Sequence, residues 1–389
     1  MTEKNYILPV DKFAERATPF YYYDMELLQD TISAIKDAMP ENTQMHYALK
    51  ANANPQVLRA LAAAGFAADC VSGGEITTAI TEGFNPATIA YSGVGKTDQE
   101  IALGLRAGIG CFNIESIEEL KIVSEIATAM GKTAPIALRV NPNIDAHTHH
   151  YITTGLEENK FGIDLRILDK AMEQALKLPS LHLKGLHFHI GSQITTMEPY
   201  ALLCERIKVV VEHYESQGVK FESINVGGGL GIDYDDPDEN PIPDFKDYFD
   251  TFAKGLAPIM EGKTLHCELG RAVVAQCGSL ISRVIYVKLG ASKKFVIIDA
   301  GMNDLIRPAL YGAQHVIQNL TSHRKSEKYD IVGPICETSD TFATDYHLPA
   351  TRRGDILAIR SAGAYGESMS STYNIRRLVG SEIYDKPKY

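Results

Sequence analysis

The chain has 389 residues, 45% of them apolar and 22% charged, which fits a globular protein able to bury one large core and a second, smaller one. Its net charge of −11, with no basic run, speaks against nucleic acid and anionic membranes as partners, although a few local arginines would suffice for an anionic cofactor. No run of about 18 apolar residues could span a membrane. Residues 1–9 lack the apolar core of a signal peptide, and the six scattered cysteines (Cys70, Cys111, Cys204, Cys267, Cys277, Cys336) show no paired metal spacing. The expectation is a cytoplasmic protein with free thiols and no metal site.

Helical spacing begins at residues 26–38, with Leu27, Leu28, Ile32 and Ile35 on one face. Short β-rich runs then alternate with helical stretches. The predicted strands are 45–49, 68–71, 88–91, 110–113, 136–140, 185–189, 223–226 and 265–268. The predicted helices between them are 55–64, 74–82, 98–107, 116–130, 165–177, 197–215 and 248–261. Eight such units predict a (β/α)8 TIM-type barrel over 30–276. From about Cys277 the pattern changes to β-rich runs at 280–288, 294–299, 326–332 and 356–359, punctuated by Gly and Pro. These predict a second, mostly-β domain of Greek-key or sandwich type over 277–389, completed by residues 1–29. The acidic loop 233–244 reads as a solvated excursion on the barrel rim.

Barrel sites lie at the C-terminal ends of the strands, so what those ends carry matters most. Lys50 follows the first. A lysine held there among apolar neighbours is partly desolvated, and a neutral amine is a nucleophile toward aldehydes; a strand-end lysine that simply reaches water is the plain alternative. The sixth end carries His187-Phe-His-Ile-Gly-Ser-Gln193, the seventh Val226-Gly-Gly-Gly-Leu-Gly231 and the eighth Glu268-Leu-Gly-Arg271. Taken singly, these could be a core histidine, a tight turn and a rim ion pair. Taken together they suit a phosphorylated aromatic aldehyde. Gly227, Gly228 and Gly229 bare backbone N–H groups to a phosphate, Ser192 adds a hydroxyl, His189 stacks on the ring and Glu268 holds a proton on its nitrogen. The cofactor described is pyridoxal 5′-phosphate.

On these runs the chain resembles the barrel-type (fold type III) pyridoxal-phosphate decarboxylases, within them most closely those acting on diaminopimelate. Further matching runs are Tyr47-Ala-Leu-Lys-Ala-Asn52, Asn141-Pro-Asn-Ile-Asp-Ala-His-Thr-His149, Thr154-Gly-Leu with Asn159-Lys-Phe-Gly-Ile163, Asp304-Leu-Ile-Arg-Pro-Ala-Leu-Tyr311, Gly333-Pro-Ile-Cys-Glu337 with Asp340, and Gly363-Ala-Tyr-Gly366 through Ser370-Ser-Thr-Tyr-Asn374. They cover nearly the whole chain in order; Leu269 stands where the family usually has Pro. The resemblance implies decarboxylation of meso-2,6-diaminopimelate to L-lysine and CO2, the last step of bacterial lysine biosynthesis. It implies Lys50 as the amine that takes the aldehyde and Cys336 as proton donor. Gly228, Gly229, Ser192, His189, Glu268, Gly270, Arg271 and Tyr365 become cofactor contacts. Arg271, Arg307, Tyr311, Glu337 and Tyr365 become substrate contacts. It also implies a homodimer in which Cys336 and Glu337 reach the neighbouring subunit's cofactor.

Charge supports the substrate class. Arg307 matches a distal carboxylate, whereas the distal ammonium of ornithine would meet a like charge. Rival readings are decarboxylation of carboxynorspermidine, lysine or ornithine, and an inactive regulatory relative; the last would be expected to lack Lys50 or Cys336. Two motifs are set aside. Gly93-Val-Gly-Lys-Thr97 resembles the end of a phosphate-binding P-loop, but Ala90 stands where its first glycine is needed, so a turn is expected. His147, His149 and His150 lie in a polar loop without a matching carboxylate or cysteine pair and read as rim histidines.

Overall fold

The predicted strands are short apolar runs because both of their faces are covered. The structure, a computed structural model that describes residues 6–144 and 160–384, shows by what. After β1 (Phe20–Tyr23) come eight parallel strands: β2 (Thr43–Ala48), β3 (Ala67–Cys70), β4 (Ala90–Tyr91), β5 (Cys111–Ile114), β6 (Ala134–Arg139), β7 (Leu181–His187), β8 (Ser223–Asn225) and β9 (Thr264–Leu269). They pair in chain order, and β9 closes on β2 with His46 opposite Glu268. All eight expected strands are present. However, β7 ends at His187, so His189 lies in the loop beyond it.

The helices between the strands start where side chains can satisfy orphan N–H groups. Ser72, Thr97 and Ser116 each accept from the backbone three residues on, and Thr97 forms a reciprocal capping box with Glu100. Asn54 caps helix Pro55–Ala63, which has Pro in its first turn. Gly108, at φ 70°, ends helix Asp98–Ala107. Within the helical layer, Tyr200 of helix Glu198–Ser216 meets Tyr248 and Phe252 of helix Phe245–Leu256 edge-on, at 5.1 and 5.5 Å between ring centroids. No helix of the described residues is long and apolar enough to cross a membrane.

The remaining strands are β10 (Gly278–Leu289), β11 (Lys294–Ile298), β12 (Ile317–Asn319), β13 (Ser326–Val332), β14 (Thr341–Pro349), β15 (Ile356–Ile359) and β16 (Ser381–Ile383). They form one mostly antiparallel sheet in the order β12-β15-β10-β11-β13-β14, with β1 paired to both β10 and β16. Phe13, Phe20 and Tyr22 join Ile281, Ile356 and Ala358 in a cluster that fixes the N-terminal segment to this sheet.

The chain divides into a barrel unit, Ile32–Gly231 with Asp244–Gly270, and a β unit, residues 1–31 with Ile232–Pro243 and Arg271–Tyr389. The acidic loop therefore groups with the β unit, which corrects the expected excursion on the barrel rim. Its backbone is tied there by Gln276, whose side-chain amide donates to the Asp233 and Asn240 carbonyls at 3.0 Å, and by Arg360, which donates to Asp238 at 2.6 Å. Residues 271–276, expected with the barrel, belong to the β unit as well.

Barrel closure depends on strands approaching where only hydrogen fits. A Cβ on Gly185 of β7 would lie 1.9 Å from the Ser223 carbonyl oxygen of β8. Gly185→Ala is expected to cost more than about 4 kcal/mol or to prevent folding. Gly108→Ala, at a positive φ with open space around it, should cost only about 1 kcal/mol. Urea denaturation of the two variants beside the parent checks the contrast.

Candidate active site

Buried polar side chains interrupt the otherwise apolar barrel strands, and three of them, Asn113, His187 and Asn225, converge on Glu268. Glu268 of β9 is buried, with 8% of its surface exposed. One carboxylate oxygen accepts from His187 Nε2 at 3.0 Å; the other accepts from Asn225 at 2.7 Å and Asn113 at 3.2 Å. Burial works against its charge, but His187, His46 and the Asn225 amide outweigh burial and hold the carboxyl well below the usual carboxylate range. The His187 Nδ1 atom is buried and has no partner among the described residues. Asp69 of β3 shows the opposite behaviour. Burial and the neighbouring Glu268 push its carboxyl up to about 8, against the pull of Lys50, and one of its oxygens has no partner among the described residues. Two nearby carboxyls are thus driven apart, one ionised and one protonated at neutral pH.

Lys50 lies in a 3-10 turn, Leu49–Ala51, just past β2. It is exposed, and its electrostatic neighbours are the carboxyls of Asp69 and Glu75. This corrects the expectation of an amine held among apolar neighbours: Leu49 and Ala51 turn inward and Lys50 does not.

The glycine run after β8 lies flat against its neighbours. A Cβ on Gly227 would meet the Phe188 carbonyl at 2.3 Å, one on Gly228 the Glu268 carbonyl at 1.7 Å, and one on Gly229 the Gly191 carbonyl at 2.5 Å. Gly227 and Gly229 also have φ of 71° and 101°. The Gly227 N–H donates to the Asn225 side chain at 2.9 Å and the Gly228 N–H to His189 Nδ1 at 3.2 Å. Two of the three expected phosphate donors are thus committed within the protein, and Gly229 keeps an N–H with no acceptor among the described residues. His189 accepts at Nδ1, and burial and then Arg139 hold it well below its ordinary pKa, so its ring is neutral. Half-buried Ser192 sits in a loop laid along the glycine run by the Ile194 N–H to Gly229 carbonyl bond at 2.9 Å. Gly270 follows β9 and is buried.

Lys96, in the P-loop-like run, has its Nζ on the Gly93 and Asn113 carbonyls and on Glu119, all within 2.8 Å. It braces a turn after β4, as expected. Of the matching runs, 145–149 and 154–159 lie outside the described residues, as do His147, His149 and His150.

In the β unit, Arg271 and Arg307 are both buried. Arg271 donates to the Tyr234 hydroxyl at 2.7 Å and lies 5.0 Å from the Tyr365 ring centre. Arg307 lies 5.3 Å from the Tyr234 ring centre, and its Nε donates to His315 Nε2 at 3.4 Å. No carboxylate pairs with Arg307 among the described residues. Half-buried Tyr311 ends the short helix that Arg307 begins. Cys336 and Glu337 are exposed and stand apart from this cluster among the described contacts. Their loop is held by Asp340, which accepts from the Met302 and Ile335 N–H groups at 2.6 Å, and by Asn374, which accepts from the Cys336 N–H at 3.0 Å.

Residues 25–275 match the family described as pyridoxal-dependent decarboxylase, pyridoxal binding domain. The chain is 54% identical over 374 residues to a diaminopimelate decarboxylase of Bacteroides thetaiotaomicron, covering 96% of this chain and 97% of the relative. The chain belongs to the diaminopimelate decarboxylase family. The corresponding enzyme of Aquifex aeolicus is 43% identical, with 92% and 84% covered. A crystal structure of diaminopimelate decarboxylase from Helicobacter pylori complexed with L-lysine matches with TM-score 0.92 and 40% identity, over 97% of this chain and 94% of that one. The chemistry is decarboxylation and the cofactor is pyridoxal 5′-phosphate.

The barrel residues fit that cofactor: an accessible amine, a neutral imidazole, a glycine N–H awaiting an acceptor, and a buried carboxylate kept ionised. Sequence reasoning missed His187, Asn225, Asn113 and Asp69, and in the β unit Tyr234 and His315. For the barrel four a signal existed, since each is a polar residue in an otherwise apolar predicted strand.

Asp69 makes the stability of the cofactor-free protein depend on pH. Its carboxyl rises from about 3.9 unfolded to about 8 folded. The protonated side chain's contribution is complete below the unfolded value and is lost as pH rises through the folded one. Relative to the parent, Asp69→Asn should therefore gain stability steadily from pH 5 to pH 8 and level off above. Urea midpoints across that range measure it.

Proposed function

We propose that this chain decarboxylates meso-2,6-diaminopimelate to L-lysine and CO2, the last step of bacterial lysine biosynthesis, as a cytoplasmic homodimer. The observation that carries the substrate reading is Arg307, a buried guanidinium with no carboxylate partner among the described residues, next to a second buried guanidinium. A buried cation without its own counter-ion suits a substrate that brings a carboxylate beyond the reacting centre. The relatives' names, and L-lysine in a solved relative, support the same reading.

Lys50 Nζ is the amine that would hold the cofactor's aldehyde. Ser192, Gly228, Gly229 and Gly270 would hold the phosphate, His189 would cover the ring, and Arg271 and Tyr365 would serve both cofactor and substrate. Once bound, the pyridinium ring supplies the electron sink that decarboxylation requires. Glu268 keeps the proton on the ring nitrogen, and its depressed pKa keeps it ionised throughout the working range. Arg271, Arg307 and Tyr311 hold substrate carboxylate, and Glu337 the distal amine. Cys336 donates its thiol proton to Cα in place of the departing carboxylate.

The β unit thereby completes the active site and the dimer interface. Support for the dimer comes from Cys336 and Glu337. Their loop is braced by Asp340 and Asn374, yet both side chains are exposed, as groups would be that serve a neighbouring subunit. The cysteines form no disulfide, which agrees with a cytoplasmic setting.

Lys50→Ala should lose the visible absorbance of the bound cofactor and all activity. Cys336→Ala should keep the absorbance and lose about a hundredfold or more in kcat. Mixing the two inactive variants should restore activity through hybrid dimers. Absence of any rescue, with exchange of subunits verified, would refute shared sites.

A further inference from the structure

The Tyr234 side chain touches both buried guanidiniums, yet it lies in the acidic loop, outside every motif that pointed to the site. Its hydroxyl accepts from Arg271 at 2.7 Å, and its ring centre lies 6.0 Å from the Arg271 guanidinium carbon and 5.3 Å from that of Arg307. The backbone around it is held firmly. Asp233 turns its carboxylate onto the Asp235 and Asp236 N–H groups at 2.8 and 3.0 Å and onto Asn240 at 2.8 Å, and the His315 ring packs edge-on against Tyr234 at 5.2 Å.

A phenol has one hydrogen to give. Because Arg271 already donates to this oxygen, the Tyr234 hydrogen must point elsewhere, and no described residue accepts it. His315 fixes the second half of the arrangement. Its Nδ1 lies 2.8 Å from the Arg360 carbonyl and therefore carries the ring proton, which leaves Nε2 as the acceptor for Arg307 Nε. Burial and Arg307 push its pKa down to about 3, in keeping with that neutral tautomer. The two terminal nitrogens of Arg307 remain for a ligand. A guanidinium fork beside an outward-turned phenol hydrogen is a set of donors only, and its complement is a carboxylate.

We propose that Tyr234 is a specificity-determining residue that donates its hydroxyl hydrogen to the substrate carboxylate held by Arg307, with His315 as the positioning residue for Arg307. This rests on the reading of Arg307 given above. Arg271 acts on the phenol as well as on the ligand: by taking a lone pair, it makes the hydroxyl a donor. A distal ammonium would then face two cations and a hydrogen of like polarity.

Calorimetric titration of the cofactor-loaded enzyme tests this, with heptanedioate as a dicarboxylate lacking both amines and cadaverine as a diamine lacking both carboxylates. Tyr234→Phe should weaken heptanedioate binding and raise KM for the substrate about tenfold, as expected for one hydrogen bond to a charged group. kcat, cadaverine binding and the visible absorbance should not change. His315→Leu should weaken heptanedioate similarly, and His315→Gln, which keeps an acceptor, should restore it. Unchanged heptanedioate binding in Tyr234→Phe would overturn the proposal, as would equal weakening of both probes, the signature of a packing role alone. Arg307→Met separates the two readings: if it leaves heptanedioate binding intact, the assignment of Arg307 fails whatever Tyr234 does.

Discussion

The carboxylate of Glu268 is the constraint on which the barrel is built. Its partners Asn113, His187 and Asn225 come from β5, β7 and β8, so three strands besides its own meet at one buried charge. An unpaired charge at that depth would cost several kcal/mol, and removing one partner of such a group is among the most damaging changes a core can suffer. The register of these strands is therefore tied to a polar requirement as well as to apolar packing. Asn225 extends the constraint outward. Its amide nitrogen serves Glu268 and its oxygen serves the Gly227 N–H, so the same side chain that orients the acid also orients the start of the glycine run.

The buried cations fall into two kinds, distinguished by what answers them. Lys96 is met by Glu119 and two carbonyls, and Arg139 by Glu115 at 2.6 Å, which also accepts from the Gly93 and Gly162 N–H groups. Those charges are internally compensated and brace the loops after β4, β5 and β6. Arg307 is met by a phenol ring and a neutral imidazole, partners that orient a guanidinium without cancelling it. The first kind stabilises a scaffold. The second keeps a positive charge in reserve for an anion, at a cost in desolvation that the fold bears elsewhere.

This difference bears on how much could be read from the sequence. The eight barrel strands were legible because parallel strands covered on both faces read as short apolar runs, and the helices because their apolar residues recur at helical spacing. Lys50, the glycine run and Glu268 were legible because strand ends in such barrels carry the chemistry. The environment of Lys50 was not, since neighbours in sequence say little about neighbours in space: Leu49 and Ala51 are buried, while the charges it feels come from Asp69 and Glu75 on other segments. β14, in which only Phe342 and Leu348 are buried, offered no apolar run to recognise. Tyr234 was hidden by its company, because an acidic stretch reads as solvated.

That acidic stretch is solvated only in part, and where its acids go explains why the arginine pair stays cationic. Asp233 is consumed by its own loop's N–H groups, which hold its carboxyl below the ordinary range. Asp235, Asp236 and Glu239 face water. Asp238 alone answers an arginine, and it answers Arg360, at 2.6 Å. Arg360 in turn offers the cluster only its backbone carbonyl, which sets the tautomer of His315. The loop thus neutralises the arginine that does not reach for a ligand and places a phenol, not a carboxylate, beside the two that do. An acid in place of Tyr234 would satisfy Arg271 and Arg307 permanently and compete with any carboxylate substrate, so a neutral donor at that position is what lets an acidic loop serve a cationic site.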